Sequence, residues 1–418
     1  MDQRIPRKSG TGEHSTSALD GERRPLRILI VAPSLDILGG QAVQAARLLK
    51  GLRSEAGLEV EFLPINPRLP GVLRKLQAIK YVRTFVTSIM YCVTLLARVR
   101  RYDVIHVFSA SYFSFVLAPA PALLVARLYG KKIVLNYHSG EAEDHLTRWR
   151  RSAIPTIRLA DEIAVPSDYL VRVFAGFGLH ARAIFNTIDT QVFRFRARHP
   201  LRPVFLSNRN LELHYGVDRI LRAFAIIQQH FPAARLTVAG DGSQRVPLET
   251  LSRELKLQNV NFTGRIEHEK VGTLYDDADV WLNGSEIDNQ PLSLLEAFAC
   301  GLPVVTTDAG GIPYIVTHER TGLLVGCGDY EAMAREAMRL LQDLTLAERI
   351  MKQALEECQK YSWAAVRNQW LELYDGLGAT LGEQQATGSR QKAENRIQKS
   401  EIRGQKLESE VVDQFAPK

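Results

Sequence analysis

Short continuous apolar runs, each followed by a longer amphipathic stretch, recur along this chain and leave few folds open to it. "LRILIVAP" (26–33) is apolar but for Arg27 near its start, as a strand covered on both faces reads, and it leads through Gly39-Gly40 into the helical "AVQAARLLKGL". "YDVIHVFS", "ALLVARLYG", "KKIVLNYH", "DEIAVPS" and "YLVRVFAGFG" continue the pattern. It restarts after the Arg-rich "FRFRARHPLRP", which reads as a linker, with "VFLSNR", "VDRILRAFAIIQQHF", "ARLTVAG", "VPLETLSRELKL", "VNFTG", "DVWLNG" and "PVVTT". Alternating strands and helices imply parallel sheets covered on both faces, here as two doubly wound halves with a crevice at their strand carboxyl ends.

A chain of 418 residues with 45% hydrophobic content fits two such cores. The reading divides it into a disordered segment (1–25), a first Rossmann-like domain (26–198), a second (199–362), a helix packing back on the first domain (363–381) and a polar, disordered tail (382–418). The net charge of +7 is diffuse and no basic-aromatic module accompanies it, so nucleic acid is not the expected partner. Cys92, Cys300, Cys327 and Cys358 are widely spread without a CxxC pair, and residues 1–25 lack an apolar targeting core, which points to a reducing, cytoplasmic setting. Residues 72–101 are apolar in the middle and flanked by Arg74, Lys75, Lys80, Arg98, Arg100 and Arg101. Two readings stay open there: a buried or peripheral helix of the first domain, or a helix lying on the inner face of a membrane. Arg83 leaves the apolar stretch too short to span a bilayer.

"DNQPLSLLEAFACGLPVVTTDAGG" (288–311) carries the most chemistry. Pro291 at one end and Gly301 with Pro303 at the other delimit a helix from about 291 to 300, apolar nearly all round except for Glu296. An unpaired charge there costs several kcal/mol (roughly), so Glu296 needs a partner, and the vicinal hydroxyls of a ribose match its two acceptor oxygens. The helix start around Asn289, Leu292 and Ser293 offers amides to a diphosphate, and Asp288 lies beyond it at roughly 12 Å from Glu296 if the whole segment is helical.

The same stretch resembles the signature of glycosyltransferase family 4, whose motif is two acids separated by seven residues ahead of an A-x-A-x-G-x-P-V-V turn. Gly39-Gly40, the strand ending in His138, "VPS" (165–167), "NTID" with Phe193, "VAGDG", "VNFTGRI" and "YSW" extend the likeness over residues 26 to about 375. The resemblance implies an α/β GT-B fold, two Rossmann-like domains facing across a cleft. It further implies a retaining, metal-independent transferase that moves a sugar from a nucleotide-diphosphate donor to an acceptor hydroxyl in polysaccharide or glycolipid synthesis. Carried over position by position, Glu296 holds the ribose, Asp288 the donor sugar and Arg209 the diphosphate, while His138 lies near the transferred sugar. Gly39 and Gly40 approach the ligand, and Gly264 and Arg265 meet the base. Glu141 is not carried over from the family: it follows closely after His138 in the chain and is expected on the acceptor side, the acceptor being a carbohydrate or a lipid-linked sugar.

No cofactor or metal is expected, and "DDAD" (276–279) reads as a helix end leading into a strand rather than as a cation site. His214 and Tyr215 stand where the family places a phosphate-binding lysine before Gly216. A sugar-nucleotide epimerase and a non-catalytic nucleotide-sugar-binding protein remain as alternatives.

Overall fold

The computed structural model describes residues 24–36, 39–67, 80–267 and 270–381. The expectations for residues 1–23, 72–79 and 382–418 lie outside them. The first sheet contains β1 (Leu26–Ala32), β2 (Leu58–Pro64), β3 (Val104–Ser109), β4 (Lys132–Tyr137), β5 (Glu162–Val165) and β6 (Arg182–Ala183), in the order β2-β1-β3-β4-β5-β6. The second contains β7 (Val204–Asn208), β8 (Arg235–Ala239), β9 (Val260–Gly264), β10 (Val280–Asn283), β11 (Val304–Thr307) and β12 (Leu323–Val325), in the order β12-β11-β10-β7-β8-β9. Every pairing within both sheets is parallel.

These orders fix where a ligand can enter. In the first sheet the chain leaves β1 toward β2 and returns on its other side at β3; in the second it leaves β7 toward β8 and returns at β10. Crevices open at such reversals, beyond the strand carboxyl ends. β2 has no continuous apolar run because it is an edge strand with Glu59 exposed, so it was not legible as a buried strand.

Helix α1 (Gly40–Arg53) follows β1, and α2 (Lys80–Arg98), α3 (Tyr112–Leu117) and α4 (Pro119–Leu128) cover the other face of the first sheet. The helix at residues 363–381 leaves the second domain and sets Val366, Trp370, Leu373 and Tyr374 into the core of the first, among Ile28, Ile30 and Leu48. His106 Nδ1 lies 2.6 Å from the Tyr374 hydroxyl.

The division at residue 198 needs correction. Ile188 and Phe193 already belong to the core of the second domain with Trp281, Leu294 and Phe298, so the chain crosses between residues 184 and 188. The Arg-rich stretch is no loose linker: Arg198 is 3% exposed and donates to the carbonyls of Ala278 (2.9 Å), Tyr275 (2.6 Å) and Cys300 (2.5 Å). Arginine reads as surface in a sequence, yet its fork can be buried where carbonyl oxygens converge on it.

Candidate functional site

A cavity of about 560 Å³ lies between the domains, walled by the segments that leave β1, β4, β7, β8, β9 and β10. That is the size class of small-molecule sites. Of the residues singled out in the sequence, Gly39, Gly40, His138, Glu141, Arg209, Arg265, Asp288, Asn289, Leu292, Ser293 and Glu296 all line it. Gly264 does not: its carbonyl accepts from the Gly240 N–H at 2.9 Å, and Gly240 is the residue on the wall.

The acid-bearing helix runs Leu292–Ala299 with Pro291 as its extended N-cap. Asp288, Asn289 and Gln290 precede it in non-helical backbone, so the premise of a continuous helix from Asp288 to Glu296 fails. The Asn289 amide is taken by the Asp288 carboxylate (3.0 Å), which leaves Leu292 and Ser293 as the helix-start amides with no carbonyl partner inside the helix. Gly310 and Gly311 explain the end of the motif. A Cβ on Gly310 would stand 2.2 Å from the Asp288 carbonyl oxygen and one on Gly311 2.1 Å from that of Asn289. At Gly39 and Gly40 an added Cβ meets nothing closer than Leu292 at 3.8 Å, so within the protein neither position demands glycine.

Glu296 is 7% exposed and is not stranded. Tyr275 donates its hydroxyl to Oε2 at 2.9 Å, and Arg47 of α1 reaches across from the first domain to Oε1 at 3.3 Å. A relay stands behind the tyrosine: Trp281 Nε1 donates to Asn208 Oδ1 (2.7 Å), and Asn208 Nδ2 donates to the Tyr275 hydroxyl (2.6 Å). Burial first, and then the Glu296 charge, hold the Tyr275 hydroxyl protonated well above its ordinary range. The sequence reading missed Arg47 and Tyr275. The only trace of Arg47 is that it follows Gln44 by three positions on an amphipathic helix; both donate to the Thr187 carbonyl, at 2.6 and 2.8 Å.

Arg209 Nη2 meets Asp288 Oδ2 at 2.5 Å, Nη1 donates to Ser293 Oγ at 3.1 Å, and its guanidinium lies 4.3 Å over the Tyr215 ring. Where the family's lysine was expected, an aromatic face therefore supports the arginine. The Asp288 loop is clamped from the first domain: Ser167 donates to Asn289 Oδ1, and the Asn186 N–H donates to Gln290 Oε1 at 2.8 Å.

His138 stacks on Phe108 with ring centroids 5.0 Å apart. Burial pushes its pKa down to about 3, which keeps the imidazole neutral. Its Nε2, Asn289 Nδ2 and Arg209 Nε are buried polar atoms without a hydrogen-bond partner among the described residues, and all three residues face the cavity. Glu141 caps the helix Ala142–Arg148 on the first-domain wall, while Asp144 is engaged by Tyr112 and Arg148 away from the cavity lining. In "DDAD", Asp279 is 1% exposed and paired with Arg196 and Arg202. No cluster of three or more His, Cys, Asp or Glu side chains forms a metal-ligand set among the described residues.

Doubly wound sheets bind nucleotides at such switch points, so fold and cleft together define a two-domain α/β protein of the nucleotide-binding class. Two family models divide the chain between them: Glycosyltransferase Family 4 over residues 38–192 and Glycosyl transferases group 1 over residues 190–357. The chain belongs to the group 1 glycosyltransferases of family 4 and has their GT-B fold. It is 30% identical over 286 residues to the sulfoquinovosyl transferase SQD2 of Arabidopsis thaliana, covering 63% of this chain and 54% of that protein. It is 27% identical to the glycogen synthase of Mycobacterium tuberculosis, over 64% of this chain and 68% of the other. The chain thus spans about half the length of the plant relative. Among solved structures, the sucrose-phosphate synthase of Thermosynechococcus elongatus superposes with a TM-score of 0.69 (22% identity, 85% of this chain and 100% of that one). Anabaena HepE in complex with UDP and glucose superposes with 0.66 (18% identity, 84% and 99%).

Proposed function

We propose that the chain transfers a sugar from a nucleotide-diphosphate donor to an acceptor hydroxyl, with retention at the anomeric carbon and without a metal ion. The observation that carries this reading is the buried Glu296, held by Tyr275 and Arg47 on the same cavity that Arg209 and Asp288 enter. The ribose hydroxyls of the donor would donate to the Glu296 carboxylate, and its diphosphate would draw Arg209 from Asp288 and accept from the Leu292 and Ser293 amides. Asp288, released from the arginine, then accepts from the sugar hydroxyls.

The reaction breaks the bond between the anomeric carbon and the β-phosphate oxygen. The electron pair leaves with the phosphate, where Arg209 offsets the developing charge. The acceptor oxygen attacks from the same face, and its proton passes to the departing phosphate oxygen, giving retention without a protein nucleophile. The neutral imidazole of His138, with Nε2 free, is suited to a hydrogen bond with the transferred sugar rather than to charge stabilisation. The acceptor, a carbohydrate or a lipid-linked sugar in polysaccharide or glycolipid synthesis, enters past Glu141. Four free cysteines, two of them buried, support a reducing cytoplasmic setting.

The test is a melting-temperature screen against uridine, guanosine and adenosine diphosphate sugars, followed by turnover with acceptors, using Glu296→Ala and Arg209→Ala as controls. A stabilising donor whose effect both variants lose supports the reading. Epimer formation without acceptor, or donor binding with no transfer to any acceptor, replaces it with one of the two alternatives.

A further inference from the structure

The first domain carries a broad apolar face that none of its own described elements covers. On one side α2 packs into the core through Tyr91, Leu95 and the following Val99, all fully buried, and Tyr91 donates its hydroxyl to the Ala118 carbonyl at 2.9 Å. On its outer side Phe85, Ile89, Val93 and Leu96 are exposed at i, i+4, i+8 and i+11, which places them on one helical stripe, and Phe85 is 69% exposed. Among the described residues, most of the apolar stretch Val82–Arg101 is left unburied, its contact with the core being made by Tyr91, Leu95 and Val99.

The stripe does not stand alone. α3 exposes Phe113 (73%) and Leu117, and α4 exposes Leu124 and Leu128 (73%). The Tyr129 hydroxyl at the end of α4 donates to the Leu96 carbonyl of α2 at 3.0 Å, tying the two apolar surfaces side by side. Monomeric soluble proteins rarely leave so many large apolar side chains grouped in the open, and such a patch marks an interaction surface.

Charge decides what it meets. Between Lys80 and Lys131 the chain has one acid, Asp103, which is buried and held by Arg24 and Arg27. Exposed Arg83, Arg100, Arg101 and Arg127 stand on the same helices and their ends. The neighbouring acids Glu61 and Asp161 already pair with Arg98 and with Lys132 and Arg127. A second copy of this face would bring arginines against arginines with no carboxylate between them, whereas anionic lipid headgroups supply the missing charge while the acyl boundary takes the apolar stripe. Spanning is excluded by the packing: α2 gives one whole side to the domain core, so it lies in the interface plane.

We propose that α2, α3 and α4 dock the first domain on an anionic phospholipid bilayer. The docked face runs toward the acceptor side of the cleft. Tyr112, at the start of α3, donates to Asp144 in the helix that Glu141 caps, and Phe113 meets Trp149 edge-on at 5.5 Å. A lipid-linked acceptor would thus rise from the bilayer beside the cavity; that last step rests on the transferase reading, and the docking itself does not.

Flotation of the full chain with vesicles of mixed phosphatidylglycerol and phosphatidylcholine, against vesicles of phosphatidylcholine alone, tests the docking without any turnover. The wild type floats with the anionic vesicles, less so as salt rises, and F85D/I89D weakens this by roughly tenfold or more while its melting temperature and nucleotide-sugar affinity stay unchanged. R100E/R101E weakens binding to the anionic vesicles only. Absence of flotation, or equal flotation of F85D/I89D, overturns the proposal. So does sedimentation of the wild type as a dimer that F85D/I89D converts to a monomer, since the face would then be a contact between copies.

Discussion

Arg47 of the first domain and Glu296 of the second meet across the cleft at 3.3 Å, both nearly buried. The carboxylate proposed to hold the ribose is therefore met from the opposite domain, and Tyr275 orients its other oxygen. Removing the tyrosine hydroxyl leaves Asn208 and Glu296 each short of a partner. Tyr275→Phe is expected to destabilise the protein by about 1–3 kcal/mol and to weaken donor binding by roughly tenfold, measured by thermal unfolding and calorimetry. Unchanged values in both would remove Tyr275 from the site.

Arg209 is expected to act on the leaving diphosphate rather than on folding alone. Arg209→Ala should lower kcat by roughly a hundredfold to a thousandfold. Arg209→Lys should recover only part of that, because an ammonium cannot bond Asp288 and Ser293 with one planar fork. Steady-state kinetics with saturating donor separates these outcomes; full activity in the lysine variant contradicts the forked role.

Much of the site was legible because Glu296 sits in a helix where every neighbour from Ser293 to Ala299 is buried, so one carboxylate among them was conspicuous. Its protein partners were not, since Arg47 is 249 positions away and stands on an ordinary amphipathic helix. The parallel sheets followed from strands apolar over most of their length, whereas edge strand β2, with Glu59 and Glu61, lacked that signal. Arg198 misled in the opposite direction: three converging carbonyls bury a residue that reads as linker surface. Gly264 was carried over from the family likeness as meeting the base, but only the register of β8 against β9 shows that Gly240 stands on the wall there.

Gly310 holds φ at +51° with the Asp288 carbonyl against it. Gly310→Ala should cost about 1–3 kcal/mol and displace the loop that carries Asp288, lowering donor affinity as well. Calorimetric binding together with unfolding reads both effects; wild-type donor affinity in a destabilised variant would separate the loop from the site.

Acid should weaken the fold through its buried histidines. His106 and His138 are pushed down to about 3 and His145 to about 4, each chiefly by burial, from an ordinary value of 6.5. The unfolded chain therefore binds protons below about pH 6.5 that the folded chain refuses, so stability is full above that pH and falls as pH drops toward 3. His138→Asn should reduce this slope by up to one proton in urea titrations between pH 6.5 and 4. An unaltered slope would show that His138 titrates normally.

Chelation separates the cationic side chains from a metal as the source of diphosphate neutralisation. Activity in EDTA is expected to equal that in added magnesium. A loss restored by a divalent cation would contradict the assignment of that charge to Arg209 and the helix-start amides.

The central claim is that the interdomain cavity binds a nucleotide-diphosphate sugar through Glu296 and Arg209. Titration calorimetry of the wild type, Glu296→Ala and Arg209→Ala with the donor found by screening tests it most directly. The account predicts one site per chain in the wild type and at least a tenfold loss of affinity in each variant. Equal affinity in all three proteins, each shown to be folded, would contradict it.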